Sequence, residues 1–505
     1  MRRAIFALLL LSYVYFYQAG GWNQNSRFAL VRAVTNDWSL RIDPYERNTG
    51  DKAFFEGHYY SDKAPGLALT AIPIVEPARL VYMAFGGDPE TFAGLAILSY
   101  LATIFTSGLL TAWAGVLLFD IGRACGATPG AALFAVLSFG LATPMWPLAT
   151  IFIGHALSAA CLVWAFAAAN RLSAETTRRG SSAAIAGATA PGSDWRTGAT
   201  VGLAAGWATV SEFPAAVPAV MLALWTAATA VALGKERARP ILLSMTVGAA
   251  ACAVVLLAYQ YACFGSPFHL AYSSEQGFEG MQQGLFGITT PSIGTLNRIL
   301  FGEYRGLLPL SPLMAVTAAG FVLPWRVPGA ALVAAVIAAY YVLLNGSYHY
   351  WEGGWSLGPR HLSPALPFLC LALAPLWERA RRAGRRVLAA LWLVSAAISL
   401  MSVATMPQPP ANISRPFREL VWPAFRDGDL SLNTQTFVHY AVDPALWRTH
   451  EDPKAAFNLG MTIGLDGHAS LVPLAAGWIL CGVWLWRVMR EESRVSAVRD
   501  AAGDT

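Results

Sequence analysis

Residues 23–69 read NQNSRFALVRAVTNDWSLRIDPYERNTGDKAFFEGHYYSDKAPGLAL. This polar, Gly- and Pro-punctuated stretch carries Asp37, Asp43, Asp51 and Asp62, with Lys52 and Lys63 among them. Ahead of it stand Arg2-Arg3 and an apolar run over 4–17; behind it the chain is a succession of long apolar runs. A long ordered loop set between membrane-length runs is a functional segment more often than a passive connection. Its reading fixes both the fold class and the place where chemistry is to be sought.

The rest of the composition agrees. Of 505 residues 55% are hydrophobic and 13% charged, whereas soluble domains are about 25% charged. An ordinary soluble enzyme is excluded, and so is a wholly disordered chain, which would lack this aliphatic and aromatic content. The net charge of +5 speaks to membrane orientation. No Lys/Arg block interleaved with aromatics suggests a nucleic-acid surface. The six cysteines, Cys125, Cys161, Cys252, Cys263, Cys370 and Cys481, form no CxxC pair and sit mostly in apolar runs, so neither a metal cluster nor a disulfide framework is expected.

The first run ends in Tyr13, Tyr15, Phe16 and Tyr17 without a small-residue cleavage site, which predicts an uncleaved span with an aromatic belt. Further membrane-length runs lie near 93–119, 129–147, 152–171, 197–211, 214–233, 240–262, 307–325, 329–345, 363–379, 387–405 and 471–488. The expectation is an all-α polytopic membrane protein of about twelve transmembrane helices, with interfacial helices over 26–34 and 66–85 in the first outer loop. Run 66–85 holds Pro73, Glu76, Pro77 and Arg79, a density that argues against a lipid-exposed span. Parity gives a second argument. If 66–85 does not cross, every short basic cluster falls on one side, as the positive-inside rule requires. Both termini are then cytoplasmic, in an inner (plasma) membrane. The outer face carries segments 21–92, 263–306, 346–362 and 406–470. We divide the chain into a core over 1–405, an outer region over 406–470, a last span over 471–488 and a tail over 489–505. The Ser/Ala/Thr/Gly-rich loop 172–196 reads as a linker.

Three further polar features stand out. The turn Tyr348-His349-Tyr350-Trp351-Glu352-Gly353-Gly354-Trp355-Ser356-Leu357-Gly358-Pro359-Arg360-His361 joins two spans. Arg360 there is either a planar phosphate donor or a cation snorkelling to headgroups. Glu212, in Ser211-Glu212-Phe213-Pro214, is an acid at membrane depth: a functional candidate or a helix cap. Arg305 lies at an outer span entrance, where snorkelling again competes with ligand contact. His155, inside a span, reads as a hydrogen-bonded core residue. No HExxH or P-loop is present.

A basic N-terminus, one span, a long Asp-bearing outer loop and a YSDKAPG turn entering an apolar helix resemble the GT-C superfamily of integral-membrane glycosyltransferases. Within it, the protein O-mannosyltransferase and lipid A aminoarabinose transferase branches are the most similar. The sharpest matches are 24–66, 202–214 and 353–368. The resemblance implies an inverting transfer of a sugar from a polyprenyl-phosphate carrier to an outer-face acceptor, whether glycan, lipid or protein. The family's acidic position before an Arg-aromatic pair falls here on Gln24-Asn25, ahead of Arg27-Phe28. The base therefore moves to Asp51, Asp43 or Asp37, or activity is lost or altered. Lys63 matches the family's carrier-phosphate lysine. Because the phosphate leaves as a stable anion, it needs cations rather than a proton donor, and one carboxylate base suffices. Lys63, Arg360 and Arg305, with Tyr60, Asp62, Glu212, Glu352 and His361, form the candidate binding set. No residue set is assigned to a metal, participation of a divalent cation stays open, and the donor is the only implied co-substrate. Two other readings stand: a transporter or flippase of lipid-linked sugar, and a non-catalytic carrier-binding family member.

Overall fold

The computed structural model describes residues 1–180, 194–433 and 456–503. Residues 181–193, the middle of the low-complexity loop, lie outside the described residues. So do 434–455, with the outer-segment residues His439, Asp443 and Asp452.

The described chain is mainly helical, and each of the twelve apolar runs is helical in whole or in part. Eight helices among the described residues are long and apolar enough to cross a membrane: Gly66–Ala84, Phe92–Ala124, Gly154–Thr177, Phe213–Ala232, Lys235–Phe264, Pro328–Ser347, Arg382–Thr405 and Gly467–Glu492. Their starts follow from local chemistry. Thr91 and Thr128 each accept a backbone N–H of the first turn, and Pro129 occupies the position where a missing N–H costs nothing. The runs 307–325 and 363–379 are helical only in pieces. Pro312, Pro364 and Pro367 withhold the N–H groups that a continuous helix would need.

Run 66–85 forms one unbroken helix, Gly66–Ala84, with Pro73 and Pro77 inside it. By length and composition it qualifies as a span, where its charges had favoured an interfacial position. Glu76 and Arg79 pair across one turn at 2.8 Å, which offsets part of the charge that weighed against it. The second helix of the first loop, expected over 26–34, extends over Trp22–Asp37.

Two small antiparallel sheets interrupt the helical pattern, a feature that an all-α expectation did not include. Phe16–Gln18 pairs with Ala456–Asn458, and Ala53–Phe55 pairs with His58–Tyr60. The first of these joins the segment after the first helix to the segment ahead of the helix Val472–Gly503, and the two helices also touch. There, Trp478 Nε1 donates to Ser12 Oγ at 2.9 Å.

The core is centred on Gly154–Thr177, the most enclosed of the long helices, and on Ala, Val, Leu and Phe side chains packed around it. A second apolar cluster, with Phe28, Leu30, Tyr60, Leu67 and Phe264, seats the first loop on the helix bundle. Helix Asp194–Ser211 carries Asp194 at one end, paired with Arg237 at 2.6 Å. At its other end Ser211 lies against Gly66, at the start of the Gly66–Ala84 helix.

Candidate active site

The site begins with a hairpin. The turn between its strands is Glu56-Gly57, both with positive φ (48° and 85°), as a two-residue turn matched to strand twist requires. Glycine adopts this conformation freely. The register sets Ala53 opposite Tyr60, so the chain flanking the hairpin brings Asp51 beside Asp62 and Lys63. Lys63 Nζ lies 3.0 Å from Asp51 Oδ2 and 2.5 Å from Asp62 Oδ2. Asp62 is fully buried and also accepts from Ser26 Oγ at 3.2 Å. The second outer segment docks on the same strand. Gln276 N–H donates to the Lys52 carbonyl at 3.2 Å, and Ala53 bridges to Glu275.

Three acids thus surround one lysine. Burial alone would favour neutral Lys63, but Asp51 and Asp62 outweigh it and hold the ammonium well above its usual range. Burial pushes Asp62 up, against the pull of Lys63. Burial, together with the charge of Asp62, pushes Glu275 up to about 9, so this carboxyl is protonated at neutral pH.

A second ion cluster lies beside the first. Arg27 donates from Nε to Asn23 Oδ1 (3.1 Å), from Nη1 to the Ala64 carbonyl (2.9 Å) and from Nη2 to Glu212 Oε1 (2.7 Å). His155 Nδ1 lies 3.3 Å from the same Glu212 oxygen. Arg27 therefore clamps the first-loop helix, the Lys63-Ala64 turn and the break between two helices at Glu212. Glu212 does more than cap a helix, and His155 is tied to it.

The glycine turn supplies Arg360. Gly353 adopts φ +70°, and a Cβ there would stand 2.8 Å from Arg360 Cγ. Glycine is needed both for the turn and for the approach of the guanidinium. Arg360 Nε is buried without a hydrogen-bond partner among the described residues. His361 packs edge-on against Tyr348 and His155, with ring centroids 5.0 and 5.4 Å apart. Burial and then Arg360 hold its pKa well below the usual imidazole range, which leaves it neutral.

These pieces enclose two cavities. One, of about 270 Å³, is polar. It is lined by Gln24, Asp51, Lys63, Glu275, Glu352, Arg360, His361 and Gln408, with Trp22, Phe278, Tyr350 and Trp355 as aromatic walls. The other, of about 400 Å³, is largely apolar. Phe213, Pro214, Val217, Leu270, Leu285, Phe286, Ile288, Tyr340 and Leu344 line it, with Arg27, His155 and Glu212. Val217 and Leu285 are exposed, so apolar side chains mark its mouth. The two cavities share Lys63, Arg360, His361, Tyr348 and Glu275 in their walls.

The residues expected from sequence divide accordingly. Asp51, Lys63, Glu352, Arg360 and His361 share the polar cavity; Glu212 lines the apolar one. Asp43 is half-exposed and bound to His58 Nδ1 (2.9 Å) and the Tyr59 N–H (2.6 Å), and Asp37 is exposed at the end of its helix. Neither lines either of these two cavities. Tyr60 packs on Phe264 (5.2 Å), and Asp62 lies behind Lys63. Arg305, fully buried, donates to the carbonyls of Gly354 (3.0 Å) and Pro409 (3.3 Å). It fastens the glycine turn to segment 406–411 and does not snorkel. Sequence reading missed Glu275, which no motif marks, and Gln408. Among the described residues no group of three or more His, Cys, Asp or Glu is arranged to hold a metal ion.

No protein-family model matches the chain, and no curated protein matches it. Two solved structures align with most of it. One is the crystal structure of ArnT from Cupriavidus metallidurans bound to undecaprenyl phosphate, with a TM-score of 0.48 and 15% identity over 85% of this chain and 69% of that one. The other is the crystal structure of the Archaeoglobus fulgidus oligosaccharyltransferase in the apo form, with a TM-score of 0.43 and 10% identity over 88% of this chain and 61% of that one. Both of these proteins are GT-C family members.

Proposed function

We propose that this chain is a membrane glycosyltransferase that takes a sugar from a polyprenyl-phosphate carrier and transfers it to an acceptor hydroxyl at the outer face of an inner membrane. The observation that carries this reading is the common wall of the two cavities. An apolar compartment and a polar compartment meet at Lys63 and Arg360. A lipid-linked sugar has the same order of parts: an apolar chain, a phosphate and a hydroxyl-rich ring. The N-terminus of helix Trp22–Asp37, with Trp22, Asn23 and Gln24 in the cavity wall, adds the positive end of a helix dipole near the phosphate position.

The chemistry follows from the charges. The acceptor oxygen attacks the anomeric carbon, the bond from that carbon to the phosphate oxygen breaks, and its electron pair leaves with the phosphate. Lys63 and Arg360 stabilise that developing charge, in a setting drier than water. Asp51 takes the acceptor proton. Attack opposite the leaving phosphate inverts the anomeric centre. Lys63 also holds Asp51 in place, so the base and the phosphate contact are coupled through one ammonium. In this reading core 1–405 carries the site, and 406–470 adds Gln408 and Ala411 to the wall of the polar cavity.

The test is transfer from radiolabelled polyprenyl-phosphate sugars by the purified full-length chain, wild type and Asp51→Asn. Transfer that is lost in Asp51→Asn while carrier binding persists supports the reading. Transfer unaffected by Asp51→Asn and Lys63→Ala refutes the site. One observation favours a second reading, a non-catalytic carrier-binding protein: position 24, facing the polar cavity, holds an amide rather than an acid. Carrier binding without any turnover in the wild type would establish it.

A further inference from the structure

We propose that the polar cavity selects an uncharged sugar ring through its hydroxyl groups, with the carboxamide of Gln24 as the specificity-determining contact and Gln408 as its support. This rests on the donor reading above and narrows the substrate class.

Gln24 is only 3% exposed and lines the polar cavity. Neither its Nε2 nor its Oε1 has a hydrogen-bond partner among the described residues. A buried amide with both ends unmet is uncommon, because each unmet group carries its desolvation penalty. Such an amide requires a counterpart that both donates and accepts. Two neighbouring hydroxyls on a ring provide this. A carboxylate only accepts, and an ammonium only donates. Gln408, 2% exposed and from segment 406–411, presents a buried Oε1 that is likewise unpartnered among the described residues. It calls for a further donor, which a third hydroxyl supplies.

The walls fit the same occupant. Trp22, Phe278 and Tyr350 stand in a row of perpendicular rings, with centroids 6.1 and 5.4 Å apart. Such aromatic walls cover the C–H face of a sugar while amides read its edge. At about 270 Å³ the cavity falls below the range for drug-sized ligands, roughly 300–1,000 Å³, which suits a single ring. A charged substituent on that ring can satisfy only one end of the Gln24 amide, a carboxylate its Nε2 and an ammonium its Oε1. The charges in the wall are of both signs, Asp51 and Glu352 against Lys63 and Arg360, and so select for neither a carboxylate nor an ammonium.

The experiment measures binding to the full-length chain in lipid nanodiscs. The probes are undecaprenyl phosphate, bare or carrying glucose, glucuronate or glucosamine. Wild type is expected to bind the glucose-bearing carrier about tenfold or more tighter than either charged one. Gln24→Leu should weaken the glucose-bearing carrier about ten- to hundredfold and leave the bare carrier within about twofold. Gln24→Glu should shift preference toward glucosamine, and Gln408→Leu should cost severalfold on glucose alone. Bare-carrier binding reports folding in every variant. Equal glucose affinity in wild type, Gln24→Leu and Gln408→Leu, or a wild-type preference for a charged sugar, overturns the inference. If the bare carrier is still bound in that case, the donor reading survives. Failure of the wild type to bind bare carrier overturns the donor reading itself.

Discussion

Two clusters of buried charge stand side by side in this protein and are built on opposite principles. Around Arg27 every guanidinium nitrogen is matched, to Asn23, Ala64 and Glu212, and the cluster joins three pieces of chain. Around Lys63 the pairing is uneven: Asp51, Asp62 and the protonated carboxyl of Glu275 crowd a single ammonium, and the group faces a polar cavity. A matched buried pair holds structure together, and its value lies in what is lost when it is broken. An unmatched group keeps charge available for a ligand, and its stability depends on pH. The comparison separates residues that position the site from residues that act in it.

Breaking the matched cluster should have the largest effect on folding. Arg27→Ala leaves Glu212 buried without its guanidinium, with His155 as the remaining neighbour, which is expected to cost about 3–5 kcal/mol, read as a lowered unfolding midpoint in detergent. Arg27→Lys should recover only part of this, since one ammonium cannot serve three separate acceptors. The unmatched cluster should show the reverse pattern. Asp51→Asn is expected to lower the transfer rate by about 10²–10⁴-fold with an unfolding midpoint close to wild type, whereas Asp37→Asn, exposed and lining neither cavity, should change neither.

Glu275 gives the pH test. Its pKa in the folded chain is raised, to about 9, above the ordinary value of about 4.3 for an unfolded glutamate. The folded state therefore binds more protons than the unfolded state between those values. The stability this contributes is fully present below the unfolded pKa and falls away as pH rises through the folded one. Wild type should lose stability between about pH 4 and 9, and Glu275→Gln should flatten that slope. A slope unchanged in the variant would remove Glu275 from the cluster. The smallest expected effect is at the turn: Gly353→Ala strains a positive φ and displaces Arg360, and should lower kcat/KM for the donor severalfold, with kcat falling as well, measured by initial rates.

How much of this was written plainly in the sequence differs between the two clusters. The apolar runs locate the helices because membrane burial demands length and apolarity, both of which are local properties. Lys63 and Arg360 could be singled out because each lies in an unusual turn. The meeting of Asp51 with Lys63 depends on a hairpin whose Glu56-Gly57 turn is a weak signal inside an aromatic stretch. Choosing among Asp37, Asp43 and Asp51 required the register of that hairpin. Glu275 could not be found, since it arrives from more than two hundred residues away on a single bridge to Ala53. Arg305 illustrates the converse: a cation at a span entrance looks free to snorkel, yet it is buried and its Nη2 donates inward to two carbonyls.

The pairing of Phe16–Gln18 with Ala456–Asn458 has a consequence for biogenesis. The strand that leads into the Trp22–Asp37 helix finds its partner only after some 440 further residues have left the ribosome, tens of seconds at about 5–20 residues per second. Until then the first anchor and the loop behind it wait in the membrane without their final brace. Bracing of the candidate site is thereby timed to the synthesis of residues 456–458, and a nascent chain interrupted before them would lack this strand pairing.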